Sequence, residues 1–150
     1  MDLRGIWKGF YQYSSKNLRE LYNDHKTGFT IEITSFDGVH FEGKVYDDLE
    51  TGGTRGIGII EGKIKNNKIR FVKKMPISTV VYPDGRVVEE DKPHRNIYYE
   101  GSFDNNVFTG IWRFKFGIEF RRGIIIFPSS KGTWQMQKTE ENRLFIFGEN

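Results

Sequence analysis

The sequence predicts an all-β fold, an antiparallel up-and-down meander that closes into a barrel of about 8–10 strands. Three observations carry this. Apolar and polar residues alternate in short segments along most of the chain, which is the period of half-buried strands. Turn-forming pairs separate those segments, among them Asp37-Gly38, Asn66-Asn67 and Asn105-Asn106. Aromatic residues make up 15% of the chain and Phe and Tyr dominate that share, a composition suited to strands. At 150 residues, one domain spanning 1–150 is expected.

Taken in order, the first strand runs from Gly5 to Tyr13. A short helix over Ser15 to Tyr22, with Leu18, Leu21 and Tyr22 at helical spacing, bridges it to a second strand, Phe29 to Phe36. Asp37-Gly38 turns the chain directly into His40 to Asp47. A loose stretch, Glu50 to Arg55, precedes Gly56 to Lys65, which Asn66-Asn67 joins to Lys68 to Met75. Thr79 to Tyr82 and Arg86 to Glu89 flank Pro83-Asp84-Gly85 as a small excursion hairpin. Asn96 to Asp104 and Val107 to Phe116 form the next large hairpin. Extended segments follow at Glu119 to Phe127, Thr133 to Lys138 and Arg143 to Phe147.

Residues two apart share a face of a sheet, so each strand can be assigned an inner side. The inner set contains Trp7, Gly9, Tyr11 and Tyr13, then Phe29, Ile31 and Ile33, then Phe41, Gly43 and Val45. It continues through Ile60, Gly62, Ile64, Ile69 and Phe71 to Tyr99, Gly101, Phe103, Phe108, Trp112, Trp134 and Met136. One pattern recurs with a glycine mid-strand: Phe41-Glu42-Gly43, Ile60-Glu61-Gly62 and Tyr99-Glu100-Gly101. Such glycines mark bends and close backbone approaches, or clear space for a ligand. Lys73 falls on the inner register of Ile69 and Phe71. An ammonium is costly there unless it meets a ligand anion or Asp47, snorkels to the mouth, or is turned outward by a bulge.

Composition excludes several chemistries. Without cysteine there is no disulfide framework, thiolate metal site or cysteine nucleophile, and a reducing cytoplasm fits. No apolar run reaches the length of a membrane helix, and the opening Met1-Asp2-Leu3-Arg4 lacks an export signal, so a cytoplasmic protein is expected. The net charge of +3 and pI near 9.0 help an anionic partner approach without requiring one. His25, His40 and His94 lie too far apart to share a metal, and neither Ser14-Ser15 nor Ser129-Ser130 sits in a nucleophile motif. The acidic stretches Asp47-Asp48-Glu50 and Glu89-Glu90-Asp91 read as solvated turns. Thr51 to Gly58 is glycine-rich but lacks the Gly-Lys-Ser/Thr ending of a phosphate loop. No catalytic residue, metal or cofactor is expected.

Three Gly-x-Trp triplets stand at Gly5-Ile6-Trp7, Gly110-Ile111-Trp112 and Gly132-Thr133-Trp134. In these the chain resembles the calycins, the lipocalin, fatty-acid-binding and avidin-like barrels. The resemblance implies a barrel whose interior binds a small apolar molecule, with Trp7 closing its base. The arginine that lipocalins place over the first tryptophan has two candidates, Arg121 and Arg122, and the Arg-x-Tyr clamp of fatty-acid-binding proteins has no counterpart.

Two functional expectations follow. In the first, a non-catalytic protein holds a small apolar or aromatic molecule against Tyr11, Phe41, Phe71, Tyr99, Trp112 and Trp134, with Lys73 as the polar anchor. In the second, the interior is plain core and the outer face of the hairpin 63–74 engages a polyanion or acidic protein through Lys63, Lys65, Lys68, Arg70 and Lys74, where Glu61 is the one acid. That face carries no aromatic residue for base stacking, which disfavours nucleic acid. Ile57 to Ile60, Ile124 to Phe127 and Leu144 to Phe147 are apolar on both faces, a pattern that a helix, the terminal segment folding back or a second subunit would cover, so a homodimer is one expectation.

Overall fold

The computed structural model describes residues 1–14, 26–81, 87–90, 96–114, 117–120, 123–127 and 130–140. Its strands are β1 (Gly5–Tyr13), β2 (Thr27–Phe36), β3 (His40–Asp47), β4 (Ile57–Lys65), β5 (Lys68–Lys74) and β6 (Ser78–Val81). There follow β7 (Val87–Glu90), β8 (Ile97–Asp104), β9 (Val107–Phe114), β10 (Gly117–Phe120), β11 (Ile124–Phe127) and β12 (Ser130–Lys138). Eight of these close into a barrel in the order β1-β12-β9-β8-β5-β4-β3-β2, each pair antiparallel. The remaining four form two separate hairpins, β6-β7 and β10-β11. The meander predicted from alternation is therefore the observed fold, with eight barrel strands.

The boundaries agree with the sequence pattern to within a few residues, with one exception. Glu119 to Phe127 reads as a single extended run but folds as the hairpin β10-β11, pairing Phe120 with Ile124. Gly123 adopts φ 135° at the reversal, a conformation that β-carbon sterics close to most residues, and this lets the run fold back on itself. The loose stretch after β3 contains a short 3-10 turn, Leu49–Thr51. The helix expected over Ser15 to Tyr22 and the strand expected over Arg143 to Phe147 lie outside the described residues.

Turn chemistry gives the barrel two unlike ends. At one end β2, β4 and β8 hand over to their successors through tight turns. Asn66, Asn67, Asn105 and Asn106 all have φ between 52° and 65°, the left-handed pairing whose twist matches a two-residue hairpin. The Asp37 carboxylate accepts hydrogen bonds from the Val39 and His40 amides at 2.8 and 2.6 Å, which holds the third turn. At the other end β1, β3, β5 and β9 finish and β2, β4, β8 and β12 begin, each pair joined by a longer connection. We call these the turn end and the loop end.

The interior is aromatic and aliphatic. Trp7, Ile31, Ile33, Phe41, Ile60, Ile69, Phe71, Tyr99, Phe108, Trp112, Trp134 and Met136 are all buried there. Trp7 lies towards the turn end, its ring 5.2 Å from that of Phe108 and its indole donating to the Leu3 carbonyl at 2.8 Å. The glycines have a packing reason. A β-carbon on Gly43, Gly62 or Gly101 would stand 2.2, 2.0 or 2.4 Å from a neighbouring strand's carbonyl oxygen.

Two of the Gly-x-Trp triplets interlock. On adjacent antiparallel strands β9 and β12, Gly132 faces Trp112 and Gly110 faces Trp134. The Trp112 indole occupies the space over Gly132, where an added β-carbon would meet it at 2.6 Å, and the Trp134 ring takes the space over Gly101 at 2.8 Å. Both indole N–H groups reach backbone carbonyls, Trp112 that of Gln12 and Trp134 those of Glu100 and Ile111. The buried rings are thus polar-satisfied without a ligand.

Candidate functional site

The last residues of β1, β3 and β5 and the first of β2 and β8 bring polar groups together inside the loop end. Lys73 points inward, as its register predicts, and is 2% exposed. Its Nζ donates to Asp47 Oδ1 at 2.6 Å, and both side chains are almost wholly removed from solvent. Of the partners the sequence allowed for Lys73, the structure selects Asp47. The ammonium also stands 5.0 Å from the centroid of the Tyr11 ring, within range of its π face.

Asp47 is fixed from three sides. Its Oδ2 accepts from the Thr54 amide at 3.1 Å and from the Tyr11 hydroxyl at 3.4 Å. Thr54 is delivered by the loop after β3, where the Asp48 side chain accepts from the Glu50 amide and the Thr51 hydroxyl accepts from the Gly28 amide. The Thr27 hydroxyl donates to the Thr51 carbonyl, so this loop is tied to the start of β2. At Gly53 a β-carbon would come within 2.4 Å of the Asp47 Cβ, so the loop closes over the carboxylate only with glycine there. Arg55 reaches out from the same loop to Glu89 at 2.8 Å, linking it to the β6-β7 hairpin.

The two deeper phenols respond to this setting. Burial pushes the Tyr11 hydroxyl well above its ordinary pKa, and the Asp47 charge adds to the shift. Tyr99 is displaced the same way by burial, then by Asp47 and Tyr13. Both therefore stay protonated and able to donate. The arrangement is a neutral ion pair with phenol donors beside it, walled by aromatic rings.

All seven residues proposed to contact a ligand are brought into the interior, in two groups. Phe71 stacks on Tyr99 at 4.7 Å and meets Trp134 at 5.5 Å and Phe41 at 6.0 Å. Trp112 meets Tyr13 at 5.0 Å and Tyr11 at 5.8 Å, edge to face, and Tyr11 leads on to Lys73. The first group fills the middle of the barrel. The second, with Lys73, lies nearer the loop end.

On the outer surface, Lys63 faces Arg70 and Lys65 faces Lys68 across β4 and β5, as the alternation predicts. Lys74 is held by Glu61 at 2.6 Å. The pairing also brings Glu42 opposite Glu61, Glu100 opposite Arg70, and Tyr98 opposite Val72. The hairpin alone shows neither those acids nor that aromatic. Extending the same alternation to the neighbouring strands, in sequential antiparallel order, would have found them. Ile57 and Ile59, read as covered on both faces, are 46% and 57% exposed in the single chain.

Among the described residues no group of three or more His, Asp or Glu side chains is placed to hold a metal ion. Nor is any helix there long and apolar enough to cross a membrane. The fold and its internal cluster define a class, the closed eight-stranded antiparallel meander barrel with an aromatic interior. Comparison with family models, with curated proteins and with solved structures returns no match.

Proposed function

We propose that this is a non-catalytic, calycin-like binding protein that takes a small apolar or aromatic molecule through the loop end of the barrel. The reading is carried by one observation, the Lys73 to Asp47 pair buried beside Tyr11 and Tyr99. Removing both charges from water costs several kcal/mol per ion, on the order of what their attraction returns, so apolar side chains would serve the core equally well. The pair is better explained by a ligand than by stability. Among the described residues Nζ donates one hydrogen bond, to Asp47, which leaves an ammonium with further donors inside an aromatic wall.

The charge state narrows the ligand. Asp47 already neutralises Lys73, so a second carboxylate would meet an unfavourable field, whereas a neutral acceptor such as a carbonyl would meet N–H and phenol donors. We therefore assign the ligand a flat or chain-like apolar body ending in a carbonyl.

The test is a titration of intrinsic tryptophan fluorescence with aryl and alkyl ketones, their parent hydrocarbons and the matching carboxylates. Ketones should bind saturably and about tenfold more tightly than the hydrocarbons, the worth of one buried hydrogen bond to a charged donor. The Lys73→Met/Asp47→Asn double variant, checked for folding by circular dichroism, should lose that preference. No saturable binding by any of the three series, or a preference unchanged in the variant, would overturn the proposal.

A further inference from the structure

The barrel carries a concavity on its outside. Across β3, β4, β5, β8 and β9 the outward side chains enclose a groove of about 580 Å³, within the size range of small-molecule sites. Strand pairing decides what lines it. One row across the sheet places Glu61, Val72, Tyr98 and Arg113 side by side, and the next places Lys63, Arg70, Glu100 and Ile111. The floor between the charges is therefore apolar and aromatic, with Ile111 48% exposed.

The charges are uneven in their commitments. Glu61 is engaged by Lys74 at 2.6 Å. Lys63 and Arg70 stand directly opposite each other, and among the described residues neither forms an ion pair within 4.0 Å, although Glu100 faces Arg70. The next row towards the turn adds Lys65 opposite Lys68. Like charges opposed across a strand pair are destabilising, and two such rows in succession leave this end of the groove positive. An anionic group lodged between Lys63 and Arg70 relieves that repulsion.

We infer that the groove is a binding site for an organic anion with a flat apolar body. The anion sits between Lys63 and Arg70, and the body lies over Val72 and Ile111 against Tyr98. Because the barrel is closed, none of its eight strands offers a free edge for main-chain pairing, so recognition in the groove runs through side chains. The occupant is a discrete molecule rather than a polyanion, since Glu42, Glu61 and Glu100 line the same groove and would repel a continuous run of phosphates. This inference is independent of the interior site.

Calorimetry on the full chain tests it with naphthyl phosphate, naphthol and inorganic phosphate. The whole molecule should bind at least about tenfold more tightly than either half, since both ends of the groove contribute. Its affinity should fall as salt rises, as expected of an exposed charge contact. Lys63→Glu/Arg70→Glu, or the milder Arg70→Gln, should weaken naphthyl phosphate and leave naphthol unaffected, whereas Ile111→Ser should weaken naphthyl phosphate and naphthol and leave inorganic phosphate unaffected. Lys73→Met/Asp47→Asn should change none of these values. Halves that bind as well as the whole, charge reversal without effect, or a short single-stranded oligonucleotide that binds as tightly would each overturn the assignment.

Discussion

Lys73, near the end of β5, and Asp47, the last residue of β3, form an ion pair of 2.6 Å inside an aromatic barrel, at 3% and 1% side-chain exposure. Removing one partner leaves the other charged, buried and unpaired. Lys73→Met alone should therefore cost about 3–5 kcal/mol of unfolding free energy, and Asp47→Asn in the same chain should restore most of it. Urea unfolding of the two singles and the double gives the coupling directly. Additive losses in the double would contradict an interaction confined to this pair.

The interlocked Gly-x-Trp strands predict an equally specific result. Gly132→Ala would put a β-carbon 1.9 Å from the Gln12 carbonyl oxygen and 2.6 Å from the Trp112 ring. Neither backbone nor packed indole can retreat freely, so a loss of about 3 kcal/mol is expected. Gly28→Ala meets nothing closer than 3.4 Å and should stay within about 0.5 kcal/mol of the parent. Equal effects at the two positions would show that helical or strand propensity, not contact, governs the glycines.

Tyr99, buried, and Tyr11, partly buried, set the alkaline limit of the fold. Tyr11 and Tyr99 have folded-state pKa values raised above the ordinary 10.0, chiefly by burial. Above that pH the unfolded chain releases protons that the folded chain retains, so stability is intact below it and declines as pH rises towards the folded values. Tyrosinate absorbance should show two of the seven tyrosines ionising only as the barrel unfolds. All seven titrating together in the folded protein would contradict the raised values of these two.

The tight turns are sensitive to side-chain shape. Asn67 and Asn106 have φ of 62° and 65°, which asparagine tolerates and a β-branched residue does not. Asn67→Val should cost about 1–2 kcal/mol, while Asn67→Gly should be neutral or slightly stabilising. Thermal melts of both variants, and of the matching pair at Asn106, measure this. A valine variant as stable as the glycine variant would show that the turn adopts another form.

Much of this molecule is legible in the sequence because its physics is local. Period-two alternation names the inner face of each strand, and the asparagine pairs and Asp37-Gly38 name the turns, so neighbours in sequence become neighbours in the sheet. The inward position of Lys73 and the opposed cations Lys63 and Arg70 follow from the same counting. The run from Glu119 to Phe127 reads as one strand because Phe120 and Ile124 to Phe127 favour extension, whereas Gly123, at φ 135°, stands where the chain reverses into a hairpin.

What the sequence by itself determined is the meander, its aromatic interior and the basic outer hairpin. Tertiary structure decided three further matters: that Asp47 answers Lys73, that two tryptophans fill the space over glycines of other strands, and that Tyr98 and Ile111 complete a groove beside Lys63 and Arg70. Each joins residues on different strands. Alternation specifies the side of a sheet a residue faces, but only closure and register bring two faces' residues within a few ångströms, and those distances set the chemistry.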